Sequence, residues 1–230
     1  MDIAGLERCS TVDYPGKLCA VLFAAGCNFD CFYCHNRQLI KKPCPLLSSK
    51  EVWPFLEDRR GLLSAVVISG GEPTLYDDLP GIAERLRGMG YLVKLDTNGS
   101  CPGMLKLLLA NGLLDYISID NKAPWDKYRS VCRTDTGPET VRMSMEIAAV
   151  SGIPWELRTT LIPGLTYDDC LRLVFQTPQP VRYTFNRYRR PEVFSRGDEI
   201  LLEHEVLQQD MLEDIVRRMG ERMPGTKIII

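Results

Sequence analysis

Three thiols stand close together at Cys27, Cys31 and Cys34, within the run "CNFDCFYCHN" at 27–36. A disulfide framework needs an even number of cysteines. A structural zinc site is usually closed by four ligands. Three thiolates on one loop instead suit a metal centre with one position left open. Thiolates bind zinc and iron–sulfur clusters. In a cubane held by three cysteines, one iron stays free for an outside molecule. Phe29, Phe32 and Tyr33 are interleaved with the thiols and bring apolar surface to them. Such burial limits water, and with hydrogen bonds to sulfur it helps set a reduction potential.

Other polar signals recur along the chain: "SGGEP" at 69–73, "DTNG" at 96–99, "DNK" at 120–122, and Arg158. Each falls in or just after a run that reads as a strand. The strand candidates are 18–25, 64–70, 91–97, 115–120, 155–162 and 181–186, several of them continuously apolar as in a sheet covered on both faces. Amphipathic segments lie between them. Leu79, Ile82, Ala83 and Leu86 make one helical face. Pro138 suits a helix start, Val141, Met145, Ala148 and Ala149 share a face, and Gly152 suits the stop. This alternation predicts an α/β fold with a mostly parallel sheet. Six strands in 230 residues favour a partial (βα)6 TIM-like barrel, open on one side. A doubly wound sheet is the runner-up. In either architecture ligands bind at the carboxyl ends of the strands, where these polar signals gather.

The bulk numbers narrow the function. A formal charge of −2 does not suggest a nucleic-acid binder. No apolar run approaches the ~20 residues of a membrane span, and the first residues, "MDIAGLERCS", lack the pattern of a signal peptide. A cytoplasmic location is expected, where thiols stay reduced and nine cysteines point to metal or redox chemistry.

The CX3CX2C spacing after the first strand, together with Gly-Gly-Glu-Pro at 70–73, resembles the radical S-adenosylmethionine enzymes. More narrowly, "TVDYPGKLCAVLFAAGCNFDCFYCHN" and "RTTLIPG" resemble the activating proteins of anaerobic ribonucleoside-triphosphate reductase, which activate glycyl-radical enzymes. The likeness covers most of residues 3–175. It implies a [4Fe–4S] cluster on Cys27, Cys31 and Cys34, with S-adenosylmethionine on the open iron. It implies Tyr33 near the adenine, Gly70, Gly71, Glu72 and Pro73 at the methionine amino end, and Asp96 and Asn98 along the same cofactor. Lys122 and Arg158 would meet the carboxylate. Asp96, Thr97 and Asp120 would form a candidate monovalent-cation site. The implied chemistry is one-electron cleavage to a 5′-deoxyadenosyl radical that takes a glycine Cα hydrogen from a partner. That partner is expected to be a glycyl-radical enzyme, and among these anaerobic ribonucleotide reductase. A flavodoxin or ferredoxin is the expected electron donor. Only 35 residues and one cysteine separate Cys34 from Gly70, so residues 1–230 are expected to form a single domain without a ferredoxin-like insert.

Blander readings stand beside these. Cys44 could complete a structural zinc site and make the chain an interaction module. The radical could act on another glycyl-radical enzyme, a peptide or a small molecule. Asp96 could merely open a turn at Asn98–Gly99. Asp120 and Lys122 could be an exposed pair, and Asn121 between them departs from the apolar residue of many relatives. His35 and His204 read as surface residues, and the remaining cysteines as small apolar or surface ones. The arginine-rich stretch 182–196 is either a solvated rim or a grip on a partner. "TKIII" is a last edge strand or a frayed tail.

Overall fold

The computed structural model describes residues 1–40 and 44–230. The elements run β1 (Ile3–Ser10), β2 (Cys19–Ala24), α1 (Arg37–Ile40), α2 (Ser49–Asp58), β3 (Ala65–Gly70), α3 (Leu79–Gly88), β4 (Leu92–Thr97), α4 (Pro102–Ala110) and β5 (Tyr116–Asp120). They continue with α5 (Tyr128–Cys132), α6 (Pro138–Ala149), β6 (Trp155–Leu161), α7 (Tyr167–Phe175), β7 (Arg182–Arg187), α8 (Glu199–Leu202), α9 (Gln209–Arg222) and β8 (Lys227–Ile229).

One eight-stranded sheet takes its strands in chain order, β1 to β8. β1 and β2 are antiparallel, and every later pair is parallel. A doubly wound sheet reverses its strand order at a switch point. This one never does, so its helices stay on one side and the sheet curls as a partial barrel. The six expected strands are β2 to β7. Among the described residues β1 and β8 do not pair with each other, so the barrel stays open. "TKIII" supplies the edge strand β8. β1 escaped the pattern because its burial does not alternate: its middle is half-exposed and carries Glu7 and Arg8.

Side chains alternate across each strand. One set, including Leu22, Ile68, Leu95, Ile119, Leu157 and Phe185, packs on helix residues such as Leu79, Leu86, Leu105, Val141 and Leu173 in the main core. The other set points into the barrel. There Tyr14, Cys19, Val21, Ala65, Val67 and Tyr116 form a separate, smaller core. In α6 the buried face is Val141, Ser144, Met145 and Ala148, and Ala149 is exposed. Ser144 donates its hydroxyl to the Gly99 carbonyl at 2.7 Å, and so ties the helix to the "DTNG" turn. Among the described residues no helix is long and apolar enough to cross a membrane.

Candidate functional site

A cavity of about 200 Å³ opens at the carboxyl ends of the parallel strands. Cys27, Cys31, Cys34, Tyr33, Gly70, Gly71, Asp96, Thr97, Asn98, Asp120, Lys122 and Arg158 all line it. The fold therefore gathers residues from five strand ends, spread over more than 130 positions of sequence, as the motif reading expected.

The cysteine loop starts where Gly26 turns the chain at φ +78°. Phe29, Cys31, Phe32 and Tyr33 are buried, and Cys27 and Cys34 are half-buried. The Cys34 N–H donates to the Cys31 carbonyl at 3.1 Å, closing a turn. Two donors reach the Cys27 sulfur: the Phe29 N–H at 3.4 Å and Asn98 Nδ2 at 3.8 Å. Burial pushes the Cys27 thiol up to about 12 and raises Cys34 as well. Cys31 is lowered instead, because the buried Cys132 thiol hydrogen-bonds to it. Buried thiols give up protons most readily to a bound metal, so loading this loop releases protons. Among the described residues no three His, Cys, Asp or Glu groups converge as ligands of one ion. Cys44 does not line the cavity with the other three. Without Cys44 a structural zinc would lack its usual fourth thiolate. Three thiols lining one cavity fit a cluster whose fourth iron is left for an outside molecule.

The two glycines of "SGGEP" have a specific reason. A Cβ on Gly70 would come within 2.5 Å of the Ala24 nitrogen, and one on Gly71 within 1.9 Å of the Gly26 oxygen. The Gly71 and Glu72 amides donate to the Ala24 and Gly26 carbonyls at 2.8 and 2.9 Å. The close approach is thus to the root of the cysteine loop, and both glycines still face the cavity. Glu72 and Pro73 do not line it. Glu72 is fully buried and accepts from Thr74 N, Thr74 Oγ1, Thr97 Oγ1 and Asn98 N at 3.0, 2.5, 2.7 and 2.6 Å. Burial raises its pKa despite these donors. Its carboxylate buckles the end of β3 to the end of β4.

Asp96, Asp120, Lys122 and Arg158 form one charged group. Arg158 Nη1 lies 2.8 Å from Asp96 Oδ2, and its Nη2 3.2 Å from Asp120 Oδ1. Lys122 sits 2.9 Å from Asp120. Lys94, 1% exposed, lies 3.1 Å from both Asp96 and Glu156. Glu156 in turn pairs with Arg182 at 3.3 Å. Burial opposes ionisation of Asp96, but Arg158 and Lys94 outweigh it and hold the carboxyl below its ordinary value. Burial is likewise outweighed at Asp120, by Lys122 and then Arg158. Burial also opposes charge on Lys122, yet Asp120 keeps its pKa well above the usual lysine value. Every carboxylate oxygen here faces a cation. The Thr97 hydroxyl is turned to Glu72 and accepts the Gly99 N–H at 3.0 Å. Arg158 bridges the carboxylates of Asp96 and Asp120, the two acids of the expected monovalent-cation site with Thr97.

The turn at Asn98–Gly99 does form. The Ser100 N–H donates to Asn98 Oδ1 at 2.8 Å, and Gly99 has φ +77°. Asp96 nevertheless stays in the cavity wall. Asn121 points the other way, giving its amide to the Leu173 carbonyl and the Tyr183 hydroxyl at 3.0 and 2.9 Å. His35 is exposed at the rim. In the arginine-rich stretch, Arg182 belongs to the lumen ladder, and Arg190 stacks on Phe194 near Glu199 and Glu203. Arg187, Arg189 and Arg196 are exposed. Sequence reasoning passed over Lys94, Glu156, Cys132 and Arg37. Lys94 and Glu156 carried a signal, since they share the lumen parity of Asp96 and Arg158 on their own strands.

Known proteins resemble this chain in family and in fold. The model of the Radical SAM superfamily matches residues 21–176. A Methanocaldococcus jannaschii protein, provisionally named a glycyl-radical enzyme activating enzyme, is 35% identical over 181 residues, covering 76% of this chain and 74% of that protein. Streptococcus suis SuiB bound to S-adenosylmethionine superposes with a TM-score of 0.69 at 12% identity, over 91% of this chain and 51% of SuiB. A domain of pyruvate-formate lyase-activating enzyme from Bacteroides vulgatus gives 0.56 at 16% identity, over 73% of this chain and 99% of the domain. These two likenesses are of fold. Three cysteines at the strand ends, the family match over most of the chain and a relative of similar length lead to one conclusion: the chain belongs to the radical SAM superfamily, enzymes that work with a [4Fe–4S] cluster and S-adenosylmethionine.

Proposed function

We propose that the chain is a glycyl-radical enzyme activase whose target is an anaerobic ribonucleoside-triphosphate reductase. The observation that carries this reading is the cavity in which the three cysteines face Gly70, Gly71, Asp120, Lys122 and Arg158 across a mouth open at the strand ends. In this reading Cys27, Cys31 and Cys34 hold the cluster. When bound, the cluster and S-adenosylmethionine supply a 5′-deoxyadenosyl radical by one-electron reductive cleavage.

The chain's own residues bind, orient and shield. Lys122 and Arg158 offer positive charge to the methionine carboxylate, and Asp120 offers an acceptor to its ammonium. The exposed edge of the Gly70–Gly71 backbone borders the same end. Phe29 and Tyr33 keep water from the thiolates, and Tyr33 serves the adenine. Asn98 holds the Cys27 sulfur. Glu72, Pro73 and Thr97 act behind these, fixing the loops that carry them. The hydrogen removed is on the Cα of a glycine in the partner, which leaves a glycyl radical and 5′-deoxyadenosine. A partner loop entering the open mouth suits a barrel of this size. The reading includes a single domain over 1–230, a cytoplasmic and anaerobic setting, a flavodoxin or ferredoxin donor, and a partner-facing role for Arg187, Arg189 and Arg196.

The test is anaerobic. Reconstituted protein, reductant and S-adenosylmethionine are mixed with the candidate reductase, and its glycyl radical is read by electron paramagnetic resonance. A doublet that needs both proteins supports the reading. 5′-Deoxyadenosine without any doublet assigns the radical to another target.

A further inference from the structure

Arg37 opens the short helix α1, yet it is only 5% exposed. A guanidinium so deeply buried has to be paired. Its Nη1 donates to the carbonyl of Cys31 at 3.1 Å. Its Nη2 donates to Ser195 Oγ at 3.0 Å and lies 2.7 Å from Asp30 Oδ1. Asp198 Oδ2 is 3.9 Å away. Asp198, itself 2% exposed, gives its other oxygen to Arg133. Arg133 is the one non-glycine residue with positive φ among the described residues, and it follows Cys132 directly. The Cys132 carbonyl accepts the Asp30 N–H at 3.0 Å. Asp30 and Cys31 are therefore gripped from two places far off in sequence: the end of α5 and the segment 195–198.

We propose that Arg37 is a positioning residue for Cys31. It fixes the peptide of the middle thiol, places a positive charge beside it, and is itself held by Ser195 and Asp30, with Asp198 farther off. The inference rests on Cys31 being a cluster ligand. Its physics is direct. The rigid fork of arginine reaches Cys31 from one nitrogen and Ser195 and Asp30 from another, a planar spread that the single nitrogen of lysine or of a glutamine amide does not reproduce. Net charge and hydrogen bonding around the thiolates set a cluster's potential. Adding an electron is easier with a cation nearby. Removing that cation makes reduction harder. A purely structural arginine would change stability and leave the cluster's redox equilibrium alone.

The test compares wild type, Arg37→Gln, Arg37→Lys and Ser195→Ala. Each is reconstituted anaerobically, assayed for iron and sulfide per chain, and titrated for one-electron reduction by electron paramagnetic resonance without S-adenosylmethionine. In Arg37→Gln the equilibrium constant for reduction falls about tenfold, equivalent to 59 mV for a one-electron couple. Arg37→Lys restores part of that fall, because it keeps the charge and loses the fork. Ser195→Ala moves in the same direction by less. A lower melting temperature in all three, with wild-type potential and line shape, overturns the proposal. If Arg37→Gln fails to fold, Arg37→Lys and Ser195→Ala decide alone, and unchanged potentials in both overturn it. A wild type that assembles no [4Fe–4S] cluster defeats the ligand assignment, and the proposal falls with it. A wild type that assembles one, beside unshifted variants, defeats the Arg37 proposal alone.

Discussion

The helix-facing side of the sheet and the side that faces the barrel lumen are built from the same strands and hold opposite chemistry. On β4, Val93 and Leu95 are 0% exposed and pack into the helical layer. Their neighbours Lys94 and Asp96 face inward, also buried, and bind each other. On β6, Leu157 packs outward while Glu156 and Arg158 join the lumen ladder. The outer side is held by burial of apolar area, which tolerates exchange of one aliphatic residue for another. The inner side has a small apolar core around Val21, Val67 and Tyr116, but its cavity end is held by paired charges, which contribute little net stability and fail badly when a fully buried partner is lost. A fold that only needed to be stable would not build the second kind. The contrast assigns stability to one face and ligand handling to the other.

The sharpest way to break that contrast is an outer-face truncation. Leu95→Ala should cost about 2–5 kcal/mol of unfolding free energy, measured by urea titration. S-adenosylmethionine affinity per folded molecule should stay at the wild-type value. Weakened affinity in a fully folded variant would erase the division between the faces. Next in size is Lys122→Ala, on the lumen side. It should weaken S-adenosylmethionine binding by about tenfold, or about 1.4 kcal/mol, with little change in the urea midpoint, because Lys122 is partly exposed and Arg158 still faces Asp120. A reversed pattern, stability lost and affinity kept, would make Lys122 a structural residue.

Acid sharpens the comparison further. Asp96 and Asp120 bind protons more weakly in the folded chain than in the unfolded one. The stability they add is present above the ordinary aspartate pKa of about 4 and is lost as pH falls through their lowered folded values. Glu72 works in the opposite sense, because burial raises its folded pKa. Asp120→Asn should therefore flatten the loss of stability below about pH 4, as followed by urea midpoints at successive pH values. An unchanged slope would remove Asp120 from the charged group. Smallest of all is Val150→Ser, at a side chain 86% exposed beyond α6. It should move stability by less than about 0.5 kcal/mol and activity not at all.

The same division explains what could be read from the sequence. Apolar runs and helical faces record the outer side, so six strands and the helices against them were legible. The three cysteines, Asp96, Asp120, Lys122 and Arg158 were legible because each sits at or near a strand's carboxyl end. Lys94 and Glu156 hid inside runs whose other residues read as ordinary buried strand. Glu72 looked like a ligand contact because its motif ends a strand, and only the structure shows its carboxylate consumed by four donors. Arg37 and Cys132 meet the cysteine loop through contacts that no local spacing encodes. β1 lacked a period because its residues between Ile3 and Ser10 are half-exposed or exposed on both faces.

The most direct test of the central claim, that the lumen-side cavity performs radical chemistry on a cluster held by Cys27, Cys31 and Cys34, is one assay. Wild type and Cys31→Ala are reconstituted anaerobically, reduced, given S-adenosylmethionine, and measured for iron, sulfide and 5′-deoxyadenosine. The account predicts a four-iron cluster and 5′-deoxyadenosine from wild type, with product at background in the variant. Equal product from both, or stoichiometric zinc with no product from wild type as purified, would contradict it.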